Sequence, residues 1–127
     1  MKIYHYKVLN IVRVIDGDTV MATVDLGFRA SITLDFRLSG IDTPEMRGAS
    51  HDAGIAARDY LAMRLTSSVD VAVQSSKDKY GRYLGEFTVD GVSINQEMIS
   101  KGFAVAYNGG SKATPAVKST SEKSLEP

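Results

Sequence analysis

The chain has 127 residues, no cysteine, two histidines, and fifteen basic residues set against fifteen acidic ones. That length supports one domain able to bury about two-thirds of its unfolded surface, without disulfides, thiolate zinc sites or a cysteine nucleophile. At zero net charge, any attraction for a phosphate backbone has to come from local placement of Arg and Lys.

The first half reads as strands. Lys7 to Ile15 is rich in β-branched residues, and Thr19 to Asp25 alternates with Val20, Ala22 and Val24 on one face. Asp16-Gly17-Asp18 between them should be a turn, since glycine tolerates positive φ. Ser31 to Leu38 alternates again. Ile32, Leu34, Phe36 and Leu38 share the core face, and Ser31, Thr33, Asp35 and Arg37 share the other.

The period then changes. Ala53, Ala56, Ala57, Tyr60, Leu61 and Leu65 follow helical spacing, with Ser50 or Asp52 as the cap. Val69, Val71 and Val73 mark a fourth strand, and Tyr83 to Val89 a fifth, closed by an Asp90-Gly91 turn. Ser93 and Gln96 form a capping-box pattern for a short helix through Ile94, Met98 and Ile99, which Gly102 should stop. Residues 108–127 are rich in Gly, Ser, Thr, Lys and Pro and read as a flexible tail. The expectation is a mainly β chain with helices (α+β), a five-stranded barrel of the OB type over residues 1–107 and a poorly ordered tail.

Three segments place charge where the fold has no need of it. Asp16-Gly17-Asp18-Thr19 puts two carboxylates on a turn, which is either an ordinary hairpin turn or a source of oxygen ligands for a hard cation. Arg37, Asp42 and Glu45 flank a strand end that Pro44 stops from continuing. They are either a solvated, salt-bridged loop or a cation, a metal ligand and a base. Asp78-Lys79-Tyr80-Gly81-Arg82 is either a glycine turn or two cations around an aromatic ring suited to a phosphate and a base. His5 and His51 sit in none of these segments and read as bystanders.

Together these three segments, with Phe36-Arg37-Leu38 and Asp42-Thr43-Pro44-Glu45 forming the second, resemble the staphylococcal-nuclease family in order and near-family spacing. Gly102, Phe103-Ala104 and Ala106-Tyr107 extend the resemblance to residue 107. It implies an OB barrel and calcium-dependent hydrolysis of DNA and RNA that leaves 3′-phosphates. It further implies that Asp18, Asp42 and the carbonyl of Thr43 bind Ca²⁺, and that Glu45 is the general base or positions the attacking water. Arg37 and Arg82 would hold the phosphate and stabilise its developing charge. Lys79 and Tyr80 would contact a neighbouring phosphate, and Tyr107 would pack near the base. So sparse a shell, completed by water and substrate, implies weak metal binding, on the order of 10⁻⁴ M or poorer. The chain differs from the family in a shorter loop after Glu45, one tyrosine where a pair is usual, and no amphipathic basic pattern in residues 108–127.

The alternative is a catalytically silent OB module that binds single-stranded nucleic acid or protein. As partners we expect DNA and RNA, single strands preferred, and no membrane, because no apolar run is long enough to span one. A monomer is expected. Met1 to Asn10 alternates rather than forming a leader, so the expected location is the cytoplasm, or outside the cell where a leader has been removed.

Overall fold

A computed structural model describes residues 2–66 and 68–107. The expected tail, 108–127, lies outside the described residues. The strands are β1 (Ile3–Asp16), β2 (Thr19–Gly27), β3 (Ala30–Leu38), β4 (Ile41–Asp42), β5 (Val69–Lys77), β6 (Tyr83–Val89), β7 (Val92–Ser93) and β8 (Val105–Ala106). The helices are α1 (His51–Arg64) and α2 (Ile94–Ser100). The five long strands hydrogen-bond in the order β3-β2-β1-β5-β6, and parallel pairing of β3 with β6 closes the barrel. The fold is the expected OB barrel with two helices. Three short strands are additional: β7 completes a hairpin on β6, and β4 pairs with β8.

Alternation sets the core. Val20, Ala22 and Val24 of β2 and Phe36 and Leu38 of β3 are buried, with Val71 of β5 and Phe87 of β6. Phe36 and Phe87 meet edge to face, their ring centres 5.8 Å apart. Ile32 departs from the expected core face and is 42% exposed, because the β2–β3 hairpin outruns the closed part of the barrel.

Helix α1 forms where its period predicts, and Ala57, Leu61 and Leu65 of the expected face are buried, but Ala53 and Ala56 are not. Ala53 and Ala56 are exposed, and Gly54, Ala57 and Leu61 face the barrel. Ser50 precedes α1 without a side-chain cap; its hydroxyl instead donates to the carbonyls of Glu45 (2.8 Å) and Arg47 (3.3 Å). Helix α2 follows expectation. Ser93 Oγ accepts from Gln96 N–H, and beyond the helix the N–H groups of Gly102 and Phe103 bond the carbonyls of Ile99 and Met98. Gly102 takes φ +85°, as this stop requires. The helices are tied together by Glu97, which accepts from Arg64 and from the Tyr60 hydroxyl. Those bonds hold the Glu97 carboxyl below its ordinary value and push the Tyr60 phenol up.

One buried polar residue was not foreseen. Asn95 of α2 is 1% exposed. Its Oδ1 accepts from Phe87 N–H at 3.0 Å, and its Nδ2 donates to the carbonyls of Ser39 (2.8 Å) and Gly85 (3.1 Å). It thereby fastens the β3–β4 link, which leads into Asp42, to β6 and α2. Asn95→Ala removes the partner of the Phe87 N–H and of the Ser39 carbonyl, while the Gly85 carbonyl keeps its bond from Ser39 N–H at 2.9 Å, and should cost about 2 kcal/mol or more in urea unfolding. A loss below about 1 kcal/mol would show that these groups find other partners.

Candidate functional site

Gly17 and Asp18 turn β1 into β2, and Asp16 Oδ1 closes the turn by accepting from Asp18 N–H at 3.1 Å. The expected reason for glycine here is corrected. Gly17 does not adopt positive φ. A Cβ there would lie 2.8 Å from Ala57 Cβ and 2.8 Å from Thr43 Oγ1, so the residue is small because α1 and the loop after β4 press against it.

Asp18 is buried. Its Oδ2 accepts from the N–H and the hydroxyl of Thr43, each at 3.0 Å. Arg37 leaves the outer face of β3 and lies between two carboxylates, with Nη1 3.4 Å from Asp18 Oδ2 and Nη2 3.3 Å from Asp42 Oδ1. Nη1 also donates to the carbonyls of Leu38 and Ile41, each at 3.0 Å, which aims the guanidinium along the strand end. The Asp18, Arg37 and Asp42 side chains are 11%, 12% and 13% exposed. The Tyr107 ring lies 5.7 Å from the Arg37 Cζ, brought there by the β4–β8 pair and a Tyr107 N–H bond to the Gly40 carbonyl.

The second arginine reaches the same place from the β5–β6 loop. Asp78 Oδ1 accepts from the N–H groups of Tyr80 and Arg82, each at 2.9 Å, and Gly81 turns the loop at φ +84°. Asp78 Oδ2 receives Arg82 Nε (2.8 Å) and Nη2 (2.7 Å). Burial opposes charge on Asp78, but the bonds from Arg82 and Tyr80 outweigh it and hold this carboxyl below its ordinary value. Arg82 Nη1 donates to Thr19 Oγ1 at 3.2 Å, and that hydroxyl lies 3.4 Å from Asp18 Oδ1. Lys79 Nζ and Arg82 Cζ each lie 5.3 Å from the Tyr80 ring centre, and Tyr80 is exposed.

Glu45 stands apart from this cluster in one respect. Its side chain is 60% exposed, with Arg47 Nε 3.9 Å away. Its backbone is held tightly: Ser50 donates to its carbonyl, and Gly54 of α1 packs against it.

The cluster is rich in carboxylates. Burial and then the adjoining Asp18 push Asp16 up from 3.8 to about 6. Among the described residues no three His, Cys, Asp or Glu side chains converge to form a ready cation cage. What converges is a buried carboxylate, Asp18, and a part-buried one, Asp42, around one guanidinium, with the backbone of Thr43 beside them. These donors are all oxygen, which suits a hard cation such as Ca²⁺ that completes its shell with water and substrate.

A family model described as staphylococcal nuclease homologue matches residues 35–124. The chain belongs to this family. Staphylococcal nuclease homologues are in general nucleases, hydrolases of nucleic acid. The match takes in Arg37, Asp42, Thr43, Glu45, Lys79, Tyr80, Arg82 and Tyr107, and runs past the point where the resemblance was traced. Asp18 lies before the matched stretch, and its place in the site rests on its contacts with Thr43 and Arg37. A comparison with curated proteins finds no match.

Three residues of the site had no role in the sequence reading, Thr19, which links Arg82 to Asp18, Asp78, which orients Arg82, and Gly54, which admits α1, and a fourth, Gly17, was read as a turn glycine and not as space for α1. The aspartate opening a D-x-x-G turn was a usable signal for Asp78. The other three depend on contacts between distant elements.

Proposed function

We propose that this protein is a calcium-dependent nuclease that hydrolyses phosphodiester bonds of DNA and RNA and leaves 3′-phosphates. The observation that carries the reading is the convergence of two largely enclosed carboxylates, Asp18 buried and Asp42 part-buried, and two anchored arginines on one surface, with an exposed glutamate on the adjoining loop.

Asp18, Asp42 and the Thr43 carbonyl would hold the cation. When bound, it withdraws charge from the phosphate and makes the phosphorus easier to attack. The protein's own residues supply the rest. Arg37 and Arg82 present planar donor forks to the phosphate oxygens and meet the charge that grows on them in the transition state. Because Asp78, Thr19 and backbone carbonyls already fix these forks, little reorganisation is needed at the moment of reaction. Glu45 accepts a proton from the attacking water. The new P–O bond forms as the bond to the 5′ oxygen breaks, and that oxygen takes up a proton from solvent, giving a 3′-phosphate and a 5′-hydroxyl. Tyr107 and Tyr80 offer ring faces to splayed bases, with Lys79 on the next phosphate, which favours single strands. One chain supplies every residue of this site, so a single copy is a complete catalytic unit.

The test is cleavage of denatured DNA in millimolar Ca²⁺ beside the same reaction in EGTA, with thermal melts under both conditions. We expect cleavage only with calcium, and a stabilisation of about 1.4 kcal/mol when Ca²⁺ is about tenfold above its dissociation constant. Asp18→Asn should abolish that stabilisation. A folded protein that neither cleaves nor gains stability from Ca²⁺ would be the silent binding module instead.

A further inference from the structure

The tip of the β2–β3 hairpin carries side chains that its turn does not call for. Gly27 pairs with Ala30, so Phe28 and Arg29 alone make the turn, and both hold positive φ, +54° and +65°. A two-residue hairpin loop of this kind favours Asn-Gly, because a bulky side chain is strained at positive φ. Phe28 gains no burial in return, since it is 105% exposed, and Arg29 beside it is exposed as well. Asp25 Oδ1 accepts from Gly27 N–H at 2.8 Å and pins the base of the turn. A strained aromatic that buries nothing adds no stability to the fold, and strain of this kind gathers where proteins hold a ligand.

The face that leads to the tip says which ligand. Thr19 pairs with Arg37, Met21 with Asp35, Thr23 with Thr33, and Asp25 with Ser31. These residues share one parity, so their side chains all lie on the outer face of β2 and β3. One end of this face is the candidate site, where Thr19 holds Arg82 and Arg37 stands between the carboxylates. The other end is the tip, since Ala30 lies about 24 Å from Arg37 along β3. Between them Ser31, Thr33 and Asp35 are exposed, and the Thr23 and Thr33 hydroxyls lie 2.7 Å apart. Helix α1 packs on β1, and α2 packs on β4 and β6, on other parts of the barrel. Asp25 and Asp35 repel phosphate, so a strand on this face turns its bases to the sheet and its phosphates to solvent.

We propose that Phe28 and Arg29 form a second contact for single-stranded nucleic acid, at the far end of a track that starts at the candidate site. Phe28 stacks on a base splayed from the strand, and Arg29 pairs with the adjoining phosphate. A ring beside a guanidinium is also what the near end presents, where the Arg82 Cζ lies 5.3 Å from the Tyr80 ring centre. Stacking on a ring needs an unpaired base, so the tip selects single strands, and the track lies within the roughly 4–16 nucleotides that one OB fold takes. The proposal rests on the reading of the site as one that takes nucleic acid, and it does not depend on cleavage.

The experiment is fluorescence anisotropy of the full chain with labelled single-stranded DNA of about twelve and of about three nucleotides, in EGTA so that nothing is cleaved. Wild type should bind the longer strand at least about tenfold more tightly. Phe28→Asn combined with Arg29→Gly gives the turn its favoured residues. This double variant should melt about 4 °C or more higher, because the strain is gone. It should nevertheless bind the longer strand about tenfold more weakly and the shorter one as before. Its salt dependence for the longer strand should flatten by about 0.7 in logarithmic slope, for one lost phosphate contact. Phe28→Trp keeps a ring and should keep the affinity. A protein that folds better and binds worse has lost a contact, not a scaffold. The proposal is overturned by a double variant that binds the longer strand like wild type, by an equal loss for both strands, or by wild type that binds both alike. Cleavage is read separately, with calcium, so the nuclease reading and this one fail independently.

Discussion

Arg82→Ala and Glu45→Gln should each lower the turnover of DNA cleavage by about a hundredfold or more, for different physical reasons. Arg82 is held by Asp78 and Thr19 before any substrate arrives, so it acts as a fixed charge stabiliser. Deleting a preorganised donor of this kind costs about 10²–10³ in turnover. The loss should fall mainly on kcat, because the charge it meets is largest in the transition state. Glu45 is placed for a different task. It is exposed, and as a base its contribution is on the order of 10²–10⁴. Glu45→Gln keeps the shape of the side chain and removes its ability to take a proton. A Glu45→Gln enzyme with unchanged turnover removes Glu45 from the mechanism, and the same outcome for Arg82→Ala removes Arg82.

The barrel was legible because period-two alternation is a direct consequence of strand geometry, and Val20, Ala22, Val24, Phe36 and Leu38 all lie inside. Ile32 shows where that signal ends. Alternation tells which face a residue shares; it does not tell how far along the strand a closing partner reaches. In α1 the helical period was right and so was most of the buried face, Ala57, Leu61 and Leu65, but not Ala53 and Ala56. Hydrophobicity favoured Ala53 and Ala56, whereas the approach of the helix to the loop selects Gly54, which has nothing to bury. Asn95 was invisible for a related reason. A polar residue reads as surface until the backbone groups it satisfies are known, and those lie on β6 and on the link after β3. The charged residues of the site were legible as charges at strand ends. Their order of dependence was not, since the path from Arg82 through Thr19 to Asp18 joins residues far apart in the chain.

Gly54→Ala tests whether this tertiary contact governs the site. Two effects oppose each other. Alanine in a helix interior is favoured over glycine by about 1 kcal/mol. Against this, a Cβ on Gly54 would stand 2.4 Å from the Glu45 carbonyl oxygen, 2.7 Å from the Glu45 carbonyl carbon and 2.8 Å from Met46 Cα. All three are backbone atoms, so no side-chain rotation relieves the clash. α1 has little room to withdraw, because Ala57 already abuts Gly17 and Leu61 is fully buried in the core. Overpacking of this kind costs about 1–3 kcal/mol, so steric cost should win and the melting temperature should fall. The loop is the part that can move, and displacing it carries Glu45 with it. A shift of about 1 Å in a positioned group can cost on the order of a hundredfold in rate. The variant should therefore lose at least about tenfold in turnover at temperatures where it is fully folded. The control is Ala53→Gly on the exposed face of the same helix, which should cost about 1 kcal/mol and leave turnover alone. If Gly54→Ala instead melts higher and cleaves normally, helix propensity has won, and α1 is free to slide without disturbing Glu45. The predicted outcome makes α1 the element that sets the distance between the carboxylate turn and the glutamate loop, through two glycines chosen for the space they do not fill.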